Sequence, residues 1–185
     1  LRRTYIQMLS AISRSGGYRL GKQLDRVVPL VLGQCTAREE EASPGAPGND
    51  PDMIEACLHA FESFVQRWPK EVAAFQGPIA EKALEFLRYD PNYADDDGEE
   101  EDDDEEDMEE DDDDDGEYSD DDDTSWKVRR AAAKVLSAIV VGRGALKLGE
   151  VLRRLVSRFR EREENVKMDV FATFNDLLAQ VGAAR

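Results

Sequence analysis

Residues 57–64 read CLHAFESF and residues 170–177 read VFATFNDL. Set beside YIQMLSAI at 5–12 and AAKVLSAI at 132–139, they place apolar side chains in the same four slots. In slot order these are Cys57, Leu58, Phe61 and Phe64; Val170, Phe171, Phe174 and Leu177; Tyr5, Ile6, Leu9 and Ile12; Ala132, Ala133, Leu136 and Ile139. Spacings of three and four residues put them on one broad stripe of a helix. A second class of helix lies between these. Its Val27, Val31 and Cys35 match Ile79, Ala83 and Leu87, then Val151, Leu155 and Phe159. Both classes first recur after 52 residues, and the last interval of the first class is 38.

The periodicity predicts seven helices, at about 1–14, 18–34, 52–67, 70–88, 124–141, 145–160 and 163–181. Gly16-Gly17, Trp68-Pro69, Gly142 and Gly144 stand where helices should stop. Each helix pair carries an apolar face it cannot bury alone, so neighbours have to stack into a continuous curved core. Without its two long interruptions the unit approaches the ~40–47 residues of HEAT and armadillo arrays. The expected fold is all-α, an α-solenoid of HEAT/armadillo-like repeats with a long disordered acidic loop. A four-helix bundle is the competing arrangement, and seven helices of two alternating classes do not suit it.

The interruptions set the domain organisation. Repeats occupy 1–94, with a Pro/Gly-rich insertion at about 39–51 (EEEASPGAPGNDP), and resume over 124–185. Between them, 24 of the 29 residues of 95–123 are Asp or Glu, with no Lys or Arg. Like charges repel, and only Met108 and Tyr118 offer apolar surface, so this tract is expected to be disordered. The chain has 42 acidic and 24 basic residues; without the tract its formal charge goes from −18 to +6. A basic helical scaffold and a concentrated polyanion share one molecule. Thr124 or Ser125 is the expected N-cap of the helix that follows.

The first residue is Leu1, with an amphipathic pattern already under way, so a piece of a longer protein is expected. Cys35 and Cys57 fall at apolar helical positions without a CxxC partner, which favours buried free thiols over a disulfide and points to a reducing, intracellular compartment. No apolar run approaches the ~18–20 residues of a membrane span, and no signal-peptide pattern appears.

Enzymatic constellations are nearly absent. His59 is the only histidine and sits between Leu58 and Ala60, with no nucleophile in a recognisable motif. Two cysteines and one histidine do not make a zinc site, and neither GxxxxGK[ST] nor GxGxxG occurs. No catalysis, cofactor or metal is expected. Asp111, Asp113, Asp115, Gly116, Ser119 and Asp122 fit several positions of an EF-hand loop, a chance match in a run this acidic. Ser119, followed by four aspartates, is a candidate phosphorylation site for acid-directed kinases, or only a spacer. Basic clusters occur at Arg129-Arg130-Lys134 and at Arg158-Arg160-Arg162 with Lys167. The pair Arg153-Arg154, then Arg158, then Arg162 stand at roughly one-turn intervals and form a candidate ridge for an acidic partner; a solvated face is the alternative. Direct nucleic-acid binding is not expected, because the adjoining polyanion competes for the same ridge.

Several segments carry a family resemblance: AFESFV at 60–65, WPKE at 68–71, YDPNY at 89–93 followed by acid, YSDDDD at 118–123, SWKVRRAAAK at 125–134 and RFREREENVK at 158–167. In this order the chain resembles the cullin-associated and neddylation-dissociated proteins, also described as TATA-binding-protein-interacting proteins. It departs from them at Ala37–Pro51, where a Pro/Gly/Ala-rich stretch replaces a short acidic turn, and Lys147–Arg153 matches loosely. The resemblance implies an internal piece of the N-terminal half of a HEAT-repeat solenoid. It further implies a non-catalytic factor that binds unneddylated cullin with its RING subunit and promotes substrate-receptor exchange and SCF-type ligase assembly, in nucleus and cytoplasm. Two other readings stand beside it: transcriptional regulation, with 95–123 engaging the TATA-binding protein or another basic partner, and a transport adaptor for basic cargo.

Overall fold

The computed structural model describes residues 1–15, 19–35, 50–89, 124–142, 144 and 147–183. Among these are seven α-helices and no strand: α1 (Arg2–Ser15), α2 (Leu24–Leu32), α3 (Pro51–Arg67), α4 (Gln76–Phe86), α5 (Ser125–Val141), α6 (Leu148–Ser157) and α7 (Glu164–Ala183). The disordered acidic loop expected at 95–123, most of the insertion at 39–51 and Ser119 lie outside the described residues.

The two classes form two layers. First-class helices stack in a row, α1 on α3, α3 on α5 and α5 on α7. In the second layer α2 packs on α3, α4 on α3 and α5, and α6 on α7. The helices flanking the acidic tract, α4 and α5, are thus direct neighbours. Phe61, Phe64, Phe86, Leu136 and Ile139 are among the fully buried side chains of the one core that runs through the stack. The arrangement is an α-solenoid, with no single closed centre.

Two stripes on each first-class helix make the joints. Cys57, Ala60 and Phe64 of α3, Val128, Ala132, Val135 and Ile139 of α5, and Val166, Val170, Thr173 and Leu177 of α7 are all buried. The matching residues at the α1 end of the row, Leu1 just before the helix and Tyr5, Met8 and Ile12 within it, are all exposed. The opposite stripe is buried in α1 (Ile6, Ser10, Ser13), α3 (Leu58, Phe61, Val65) and α5 (Ala133, Leu136, Val140). In α7 its counterparts Phe171 and Leu178 are exposed, with Met168 and Val181 beside them. Each joint therefore sets the second stripe of one helix against the first stripe of the next. Hydrogen bonds fix the register: Thr173 Oγ1 donates to the Ala133 carbonyl at 3.1 Å, and the Ser10 and Ser63 hydroxyls lie 3.3 Å apart.

Helix boundaries differ from expectation where local chemistry intervenes. Trp68 precedes Pro69 and leaves the helical region (φ −136°, ψ 59°), so α3 ends there. Turns and a 3-10 segment, Ala73–Phe75, then delay α4 to Gln76, with Pro78 in its first turn where a missing N–H costs nothing. Helix α2 starts at Leu24 after the 3-10 turn Gly21–Gln23, and α6 gives way to 3-10 at Arg158–Arg160. Asp50 caps α3, its carboxylate accepting the Asp52 N–H at 3.1 Å, with Pro51 at the first helical position. Thr124 stands at the cap position of α5 but makes no side-chain cap bond. Its backbone is already helix-like (φ −81°, ψ 0°), unlike the extended conformation from which a cap hydroxyl reaches back.

Candidate interaction surface

Arg129 lies at the junction of three elements. Its side chain is 8% exposed and that of Glu161 is 4% exposed. Nε and Nη2 donate to the two Glu161 oxygens at 3.1 and 3.2 Å, a bidentate pairing. Nη1 donates to the Tyr89 carbonyl at 3.1 Å and to Ser125 Oγ at 2.8 Å. Arg158 also donates to Glu161, and the Glu163 N–H reaches it at 3.3 Å. Burial pushes the Glu161 carboxyl up, but the Arg158 hydrogen bond and the charges of Arg129 and Arg158 outweigh it and hold the group below the ordinary carboxylate range. Tyr89 and Ser125 bracket residues 90–124, so both roots of the acidic tract are fastened to one guanidinium.

The predicted basic ridge is divided. Arg153 and Arg162 are exposed and Arg154 is half-buried, whereas Arg158 is turned toward Glu161. Arg160, also exposed, stands with them. Among the described residues, Arg153, Arg154, Arg160 and Arg162 have no carboxylate within ion-pair distance. The cluster at 129–134 is spent internally: Arg130 donates to Asp169 at 2.7 Å, and Lys134 lies 4.0 Å from the same carboxylate. Its pairing was not legible in the sequence, because the partners sit some 40 positions downstream on the next helix of the row.

The outward face of the first-class row is laced by such pairs, its charge alternating from helix to helix. Arg3 of α1 meets Asp52 of α3, Arg130 of α5 meets Asp169 of α7, and Ser137 donates to Asp176 at 2.7 Å. Two grooves run along this face. One of about 510 Å³ lies between α1 and α3, lined by Arg3, Gln7, Arg14, Asp52, Glu55 and His59. The other, about 330 Å³, lies between α3 and α5 and includes Glu62, Gln66, Lys134 and Val141. His59 sits between Glu62 and Glu55, each 3.4 Å away. The Glu62 hydrogen bond raises its pKa, burial opposes this, and the Glu55 charge adds to the rise. This is a histidine held by carboxylates on its own helix.

Cys35 and Cys57 are buried free thiols in mutual contact, and the hydrogen bond from Cys57 together with burial pushes the Cys35 thiol far up. Among the described residues no group of three or more His, Cys, Asp or Glu is placed to hold a metal ion, and no helix is long and apolar enough to cross a membrane. The arrangement offers surfaces for docking: a charge-balanced face and an unbalanced basic edge.

No family model matches the chain. Cullin-associated NEDD8-dissociated protein 1 of Arabidopsis thaliana is 47% identical over 183 residues, 97% of this chain. Cullin-associated NEDD8-dissociated protein 2 of Mus musculus is 44% identical over 180 residues, and protein 1 of Dictyostelium discoideum 46% over 193. The chain spans only about 14–15% of the length of these relatives. Identity at this level along a helical stack of the same repeat design shows that the chain belongs to the cullin-associated NEDD8-dissociated family.

Proposed function

We propose that the chain is a non-catalytic scaffold segment of a cullin-associated exchange factor. In this reading the whole protein binds unneddylated cullin with its RING subunit and promotes substrate-receptor exchange and SCF-type ligase assembly. The observation that carries it is 44–47% identity, over nearly the whole chain, to proteins named for cullin association. The physical role of the segment is rigid spacing plus surface. Stacked helices hold distant contacts at fixed separation, so binding energy at one partner site is spent against a competing subunit at another. Arg153, Arg154 and Arg162 are the candidate contacts for acidic partner surface, with Arg158 acting through Glu161. The reading carries with it a nuclear and cytoplasmic location.

The test is capture of an unmodified cullin–RING complex by the full-length protein. Deleting this segment should weaken capture at least tenfold, and Arg153→Glu with Arg162→Glu should reduce it without loss of helicity. Undiminished capture by the deletion variant would refute the proposal. The TATA-binding-protein alternative draws on the charge of 95–123 alone, which lies outside the described residues, and the relatives' names carry only the cullin association.

A further inference from the structure

We propose that the basic edge formed by Arg153, Arg154, Arg160 and Arg162 is an intramolecular docking surface for the acidic segment 95–123 of the same chain. This does not rest on the cullin reading.

Three observations converge. The first is charge left unbalanced along one short stretch: four guanidiniums within residues 153–162 have no carboxylate at ion-pair distance among the described residues, whereas Arg3 and Arg130 of the first-class row are each paired. The second is where the acidic segment leaves and rejoins the fold. The Tyr89 carbonyl and Ser125 Oγ share Nη1 of Arg129, and the same guanidinium grips Glu161, the residue between Arg160 and Arg162. The last charges, Asp120 to Asp123, immediately precede Thr124, so even Asp120 lies within five residues, at most about 18 Å of chain, of Ser125 at the root. The third is complementarity. The segment holds 24 carboxylates and no cation, so its local concentration at the edge is on the order of millimolar, above that of an acidic partner in dilute solution. Guanidiniums suit carboxylates, accepting them bidentately and desolvating easily. The contact is a population of exchanging ion pairs, weakened by salt as exposed pairs are. An acidic partner approaching this edge has to displace the segment. A basic partner of the segment would release the edge.

The experiment uses the full chain with a nitroxide on Ser119→Cys; Cys35 and Cys57 are buried, so the label goes to the new thiol. At about 20 mM salt, backbone amides of residues 153–163 are expected to lose at least about half their intensity and to regain it at about 0.5 M. The combined variant Arg153→Gln, Arg154→Gln, Arg160→Gln and Arg162→Gln should lose the effect. A second measurement follows a fluorescein-labelled polyglutamate peptide by anisotropy. Its affinity should rise at least tenfold when the acids of 95–123 are replaced by Asn and Gln. No broadening at low salt, broadening centred elsewhere, or a peptide affinity indifferent to the replacement would each overturn the proposal. The last would mark the edge as open to a partner in trans.

Discussion

Replacing Arg129 by methionine removes four hydrogen bonds at once: two to Glu161, one to the Tyr89 carbonyl and one to Ser125. It leaves a carboxylate whose side chain is 4% exposed. Removing one member of a buried ion pair costs about 3–5 kcal/mol, chiefly because the survivor's charge is stranded. Here Arg158 and the Glu163 N–H remain on Glu161, so the lower end, about 3 kcal/mol, is expected. Arg129→Met combined with Glu161→Met strands neither charge of the pair and should be milder than the sum of the single changes by about 2 kcal/mol or more. Urea unfolding followed by circular dichroism reads this directly. With a slope of about 2 kcal/mol per molar, Arg129→Met should lower the midpoint by about 1.5 M. The same junction has a pH signature. Glu161 titrates lower in the fold than unfolded, so its contribution is present above the unfolded value and lost as pH falls through the folded one. The gap between the parent and Glu161→Gln should therefore be widest near neutrality and close in acid. A midpoint within about 0.3 M of the parent, or strict additivity in the double variant, would refute a coupled junction.

Three further outcomes check other parts of the structure. A Cβ at Gly144 would sit 2.5 Å from Ile139 Cγ2 and 2.7 Å from Gln76 Oε1, so Gly144→Ala should destabilise by about 1–3 kcal/mol; Gly77→Ala, with nothing within 4 Å, should be neutral or stabilising by up to about 1 kcal/mol in the same melt. The His59 ring, titrated by NMR, should hold its proton above the ordinary histidine value. Its folded pKa is raised, so the stability it adds is full at acid pH and is lost as pH rises through that value, a slope that His59→Gln should abolish. Neither Cys35 nor Cys57 should react with an aromatic disulfide reagent until the chain is unfolded, and fast reaction of either in the native state would contradict the burial of the α2–α3 joint.

Which helices exist, and which of their faces are greasy, is legible in the sequence itself. Cys57, Phe61 and Phe64 repeat three and four residues apart, and that spacing is a property of one helix considered alone. The order of the two classes even implied that α1, α3, α5 and α7 form one row. Boundaries were less legible, because Trp68-Pro69 stops α3 while the turns that follow spend six residues before α4 begins at Gln76. Of the two candidates for the N-cap, Thr124 takes the position but makes no cap bond, because its backbone is already helix-like, while Ser125 lies inside the helix and accepts a hydrogen bond from Arg129 one turn on.

The sequence alone determined a stack of two helix classes with a polyanion strung between two of them, since amphipathic period and like-charge repulsion are local. The tertiary structure alone decided which cations are free. Arg129, Arg130 and Arg162 look alike in a string of letters. Yet Arg129 is matched by Glu161 and Arg130 by Asp169, each more than 30 residues away, while Arg162 faces water. A charge's availability depends on what the neighbouring layer brings within about 4 Å of it, and stacking sets that distance.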